Sequence, residues 1–152
     1  MKKLLILLFL LNLLTGNSHS IEPDVFVQST VNRASEILSK DISKEEKINQ
    51  LKVIAKETVD IRGVGFYSLG SVRKSLDKNQ KNKYLEFFEE YFLKSFSSRL
   101  SEYSNPKIDV QDKDVLNKNY TIVKSVLVAT SDRPEIKINW RIYTKNPDNP
   151  LI

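Results

Sequence analysis

The hydrophobic period of this chain changes once, at Pro106, and that change dictates the order in which its layers are built. Before Pro106 apolar side chains recur at steps of three and four; after it they alternate. The first period belongs to helices and the second to strands. Phe26, Val27, Thr30, Val31, Ala34, Ile37 and Leu38 form the first helical stripe, behind Pro23, a residue suited to a first helical turn. Ser43-Lys44-Glu45-Glu46 is a capping box, and Ile48, Leu51, Ile54, Ala55 and Val59 give the helix after it an apolar face. Gly63 and Gly65 break this pattern, and a short apolar segment, Val64 to Leu69, ends at Gly70. Asp77 with Gln80 is a second cap signature. Leu85, Phe88, Phe92, Phe96, Leu100 and Tyr103 then predict the longest helix, widened by Tyr84, Phe87 and Tyr91 and stopped at Ser104-Asn105-Pro106.

Ile108 and Val110 begin a first strand, and Tyr120 to Ala129 is a second, rich in β-branched residues. After the turn Ser131-Asp132-Arg133-Pro134, Ile136, Ile138, Trp140 and Ile142 alternate with Lys137, Asn139, Arg141 and Tyr143. Such alternation means an antiparallel sheet with one buried face. Helices first and strands after make the expected class α+β, with N-terminal helices packed on the sheet. Asn146 to Pro150 is a hairpin-like turn, and Leu151-Ile152 reads as the opening of another strand. The sequence is therefore expected to be truncated, with at least a C-terminal strand missing.

Residues 1–20 read as a cleavable signal peptide. Met1-Lys2-Lys3 is a positive start, Leu4 to Leu14 is an eleven-residue apolar run, and Ser18-His19-Ser20 supplies small residues at a cut site. A membrane span needs about 20 apolar residues. No Cys follows the run, so no lipoprotein anchor is expected. Residues 21–152 then form one domain. Its mild positive charge, +5 for the whole chain, is interspersed rather than gathered in a stripe, which argues against nucleic acid and suits weak attraction to anionic lipid head groups.

The chain has no Cys, and its only His, His19, belongs to the leader. Disulfides, Cys–His and Ser–His–Asp nucleophile systems and ordinary zinc sites are thereby excluded from the domain. Arg62-Gly63-Val64-Gly65-Phe66 lacks the Lys-Ser/Thr of a phosphate loop. Asp109, Asp112 and Asp114 read as a solvated acidic edge, and Glu89 and Glu90 as the polar side of the long helix. Asp60, between Val59 and Ile61, reads as a helix cap or the partner of a cation such as Arg62 or Arg73. The informative feature is apolar: the domain holds six of the seven Phe, all six Tyr and the only Trp. Those rings either fill the core or line a cavity, and periodicity is the same in both cases.

The order and spacing of several short matches resemble the MlaC family, the toluene-tolerance or organic-solvent-tolerance periplasmic proteins. They are Pro23 to Phe26 with Val31-Asn32; Glu45-Glu46-Lys47-Ile48; Val59-Asp60-Ile61; Tyr67-Ser68-Leu69-Gly70; Gln80 with Tyr84, Phe87 and Phe88; Tyr91-Phe92; Arg99-Leu100 with Glu102-Tyr103; and Ile138 with Trp140-Arg141. The resemblance implies helices on a curved antiparallel sheet, with acyl chains held between them. It implies a non-enzymatic periplasmic phospholipid carrier, needing no cofactor, that works between an outer-membrane lipoprotein complex and an inner-membrane ABC transporter. The family pattern continues past Ile152 into a final strand and helix.

A phospholipid leaving a membrane must replace about 0.8 kcal/mol for each methylene, so a carrier needs a dry apolar cavity rather than a polar motif. The expected lining is Phe66, Leu69, Phe88, Phe92, Phe96, Val126, Val128, Ile138, Trp140 and Ile142. Arg73, Arg99 and Arg141 are the expected head-group contacts, because a guanidinium suits phosphate. The competing expectations are a periplasmic protein-binding or inhibitor module with a filled core, and a carboxylate hydrolase built on Asp60 or a Glu.

Overall fold

The computed structural model describes residues 20–152. The leader read in residues 1–20 therefore lies, apart from Ser20, outside the described residues. Four α-helices precede three strands: α1 (Pro23–Ser39), α2 (Lys44–Thr58), α3 (Ile61–Ser68), a 3₁₀ turn (Gly70–Lys74), α4 (Lys78–Leu100), then β1 (Ile108–Asn117), β2 (Tyr120–Leu127) and β3 (Ile136–Tyr143). The sheet is antiparallel in the order β1-β2-β3.

The helix starts are set by local chemistry. Ser43 and Glu46 form a reciprocal capping box at α2, and Asp77 and Gln80 form another at α4. Each satisfies two amides that the first helical turn leaves without an intrahelical partner. Asp60 caps α3 by accepting a 2.9 Å hydrogen bond from the Gly63 amide. Gly63 and Gly65, expected from the sequence to break the helical pattern, lie inside α3. A Cβ on Gly65 would stand 2.9 Å from both Leu85 and Phe88, so its absence lets α3 pack directly on α4. Close packing outweighs the low helix propensity of glycine here.

The layers form a stack. α1 lies on β1 and β2, α2 on α1, α4 on α2, and α3 on α4. Beneath α1, Val27 and Val31 meet Val123 and Ile142 in a solid cluster. Ile37 and Leu38 meet Leu51 and Ile54 between α1 and α2, and Ala55, Ile61 and Leu93 join the other helices.

β1 is longer than its apolar start suggests. A bulge between Val110 and Asp112 resets its register. It turns Lys113 toward α1, where its Nζ lies 2.6 Å from both Glu22 and Asp24. That hydrogen-bonded pairing raises the Lys113 pKa and lowers that of Asp24. Asp112 and Asp114 sit on the other face against Lys124, and the hydrogen bond from Lys124 to Asp114 raises the lysine pKa. Leu151 pairs with Tyr143 at the edge of β3. Ile152 bridges onward, donating to the Thr58 carbonyl and accepting from the Asp60 amide.

Candidate lipid-binding cavity

α1, α2, the last turns of α4 and one face of the sheet enclose a cavity of about 330 Å³. α1 contributes Thr30, Val31, Ala34, Ser35 and Leu38, and α2 contributes Leu51, Ile54, Ala55 and Thr58. The end of α4 and the loop after it add Phe96, Leu100, Tyr103 and Pro106. Ile108, Leu127, Ile136, Ile138 and Trp140 form the sheet side, and Ile152 closes one end. None of these residues is charged.

Four of the polar groups in this wall are already occupied. Thr30 donates to the Phe26 carbonyl, Ser35 to the Pro106 carbonyl and Thr58 to the Ile54 carbonyl. The indole N–H of Trp140 donates to Ser125 Oγ at 2.8 Å. The wall therefore exposes carbon, and a polar ligand would lose its water without finding these donors free. Two residues of the wall reach the surface, Ile136, which is 41% exposed, and Tyr103, which is half-buried. There the Arg133 guanidinium stacks 4.4 Å from the Tyr103 ring centre and donates to the Glu102 carbonyl.

Of the expected lining, the structure brings Phe96, Ile138 and Trp140 together around the cavity. Phe88 and Phe92 lie outside it, in the row Tyr84, Phe88, Phe92, Phe96, whose successive ring centres are 5.8, 6.1 and 5.3 Å apart. Phe66 and Leu69 are half-buried in and just after α3, away from the cavity wall. Ile142 is fully buried in the solid cluster beneath α1. Val126 pairs across the sheet with Asp109 and Lys137, on the face turned away from the helices, and the alternation carries Val128 to the same side. The cavity side of β2 ends instead on Leu127.

The three expected arginines are not brought together. Arg73 lies in the 3₁₀ turn, and Arg99 is exposed near the end of α4. Arg141 sits over the Tyr120 ring on the outer face of the sheet, which Tyr143 shares. The arginine that stacks on a residue of the cavity wall is Arg133, over Tyr103, and the sequence marks it only as part of a turn. The α1 and α2 lining was visible as helical stripes, but nothing in those stripes distinguishes a wall from a filled core.

The fold has solved counterparts. A phospholipid-binding protein from Ralstonia solanacearum, determined in complex with a phospholipid, superposes with a TM-score of 0.69 at 10% identity, covering 86% of this chain and 75% of that one. At that identity the likeness is one of fold. No curated protein matches the chain. The family model described as MlaC protein matches residues 28–152, from the first turns of α1 through the whole sheet. The chain belongs to the MlaC family.

Proposed function

We propose that this protein is a phospholipid carrier that holds acyl chain in the cavity between the α1–α2 layer and the sheet. The observation that carries the reading is the cavity wall: it has no charge, and its serine and threonine hydroxyls and its indole N–H are spent on the protein itself. Acyl chain is the ligand class that gains from such a wall, at about 0.8 kcal/mol per methylene removed from water. At about 330 Å³ the cavity sits near the lower end of ligand pockets, roughly 300–1,000 Å³. A two-chain lipid therefore needs the helical layer to lift from the sheet. The head group stays in water at the mouth, beside Arg133 and Tyr103.

Membership of the MlaC family supports the wider role. In this reading the protein works in the periplasm, after removal of the leader, between an outer-membrane lipoprotein complex and an inner-membrane ABC transporter. It performs no catalysis.

Native mass spectrometry of protein purified from a bacterial periplasm tests the first step. A mass excess that extracts as phospholipid is expected. Trp140, the only tryptophan, lies in the wall. Its emission should be quenched by phospholipids brominated on the acyl chain. A bare polypeptide mass together with unquenched emission refutes the carrier reading and leaves a protein-binding module with an ordinary core.

A further inference from the structure

We propose that the protein docks on an anionic phospholipid bilayer through the exposed side of α4 and the basic segment leading into it; the proposal rests on the carrier reading. Phe87 and Tyr91 stand one turn apart on α4 and are 61% and 69% exposed. Lys83 precedes them on the same stripe, its Nζ 5.9 Å from the Phe87 ring centre, and Lys94 follows. Rings flanked by lysines suit a head-group layer, where the ring enters the acyl boundary and the long cationic stem reaches back to phosphate.

The charge around this stripe is one-sided. From Ile61 to Lys83 the chain carries six basic residues, Arg62, Arg73, Lys74, Lys78, Lys81 and Lys83, and a single acid, Asp77. Asp77 is engaged as the cap of α4. Among the described residues none of the six cations forms a salt bridge, whereas Arg33, Lys56, Lys113 and Lys124 all do. Tyr67 and Val72, 77% and 56% exposed, lie in the same segment. The acids of α4, Glu86, Glu89 and Glu90, line the groove that they share with Lys94 and with Lys52 and Lys56 of α2.

An acidic protein would also satisfy these cations. The rings decide in favour of a bilayer. Phe87 and Tyr91 adjoin the stacked row Tyr84, Phe88, Phe92, Phe96, and that row ends in the cavity wall. Apolar surface thus runs from the docking face to the place where the acyl chain is held, which is the path a lipid leaving a membrane requires.

Co-sedimentation of the purified protein with vesicles tests this, using pure phosphatidylcholine against vesicles containing phosphatidylglycerol. Binding is expected only to the anionic vesicles and should fall with added salt. At about 1 kcal/mol per basic residue near an anionic surface, Lys78→Gln with Lys81→Gln should weaken it roughly 25-fold. Phe87→Ser with Tyr91→Ser should weaken it too, and both double variants should keep the wild-type melting temperature and co-purified lipid. Equal sedimentation with neutral vesicles, or anionic binding untouched by either pair of substitutions, overturns the proposal. So does capture of an acidic partner protein through Lys78 and Lys81 with no vesicle binding. Lipid content measured on the same samples reports separately on the carrier reading: protein that binds vesicles yet never holds lipid would overturn that reading alone.

Discussion

Ala34→Leu is the substitution that best separates a lipid cavity from a packing gap. Ala34 lies on α1 within the cavity wall and also touches the cluster of Ile37, Leu38, Leu51 and Ile54. Leucine adds three carbons there, at almost no cost in helix propensity. If the added carbons fill empty space, they gain up to about 2.4 kcal/mol at 0.8 kcal/mol for each. The folded protein without lipid should therefore be at least as stable as wild type. The same three carbons occupy space that three methylenes of acyl chain would hold, removing up to about 2.4 kcal/mol of binding, or roughly 50-fold in affinity. Thermal melting of delipidated protein and titration of Trp140 emission with brominated phospholipid give the two quantities on one sample. The expected result is a stability that holds or rises while lipid affinity falls. Unchanged lipid affinity would refute the placement of the acyl chain. A loss of stability with unchanged affinity would mean that Ala34 already packs against filled core.

Three further outcomes follow from the helices and from Lys113. Ser97 is fully buried on α4 and its hydroxyl has no hydrogen-bond partner among the described residues; Ser97→Ala should raise the urea midpoint by the equivalent of about 1 kcal/mol, and a loss would reveal a hidden partner. A Cβ on Gly63 would fall 2.1 Å from Asp60 Oδ2, so Gly63→Ala should displace the cap of α3. Asp60→Ala alone should cost about 1 kcal/mol, and adding Gly63→Ala to it should cost nothing more; a double-mutant cycle in denaturant measures that coupling. The lowered pKa of Asp24 stabilises the fold above its ordinary value of 3.8, and this is lost as pH falls through the lowered pKa. The raised pKa of Lys113 stabilises below 10.5 and is lost as pH rises through the raised value. Lys113→Met should thus destabilise the fold between those limits, by less than about 1 kcal/mol for so exposed a group, seen as a lower melting temperature, and match wild type once Asp24 is protonated.

The sequence carried most of the architecture because the relevant signals are local. Two reciprocal caps, a proline at a first turn and the change of period at Pro106 are each decided by residues within one turn or one pleat. The errors fall where a distant neighbour decides. Gly65 reads as a helix breaker until Leu85 and Phe88 are seen lying against it. Only the start of β1, Ile108 and Val110, is legible, because its later residues are acidic. They remain in the strand because a bulge sets Asp112 and Asp114 opposite Lys124 and hands Lys113 to α1.

The cavity was legible only in part, for a related reason. Hydrophobic period identifies the face that a residue presents, and Phe96, Ile138 and Trp140 were found that way. It contains no information on how far apart two apolar faces stand. Val27, Val31 and Leu38 belong to one helical stripe; Leu38 lines the cavity, Val27 is locked against Val123 and Ile142, and Val31 does both. The difference lies in what stands opposite each residue, and that depends on how the end of α4 meets the sheet. β2 hid even its facing, since Tyr120 to Ala129 is apolar on both sides. Only the pairing of Val126 with Asp109 and Lys137 separates its outer face from the inner face of Val123, Ser125 and Leu127. The same logic explains Arg133: a turn residue gains meaning only when the Tyr103 ring, thirty residues earlier in the chain, comes to rest beneath it at the cavity wall. A cavity made of undifferentiated carbon has no motif to read, so its location emerges from packing while its chemistry, apolar and uncharged, is already set by composition.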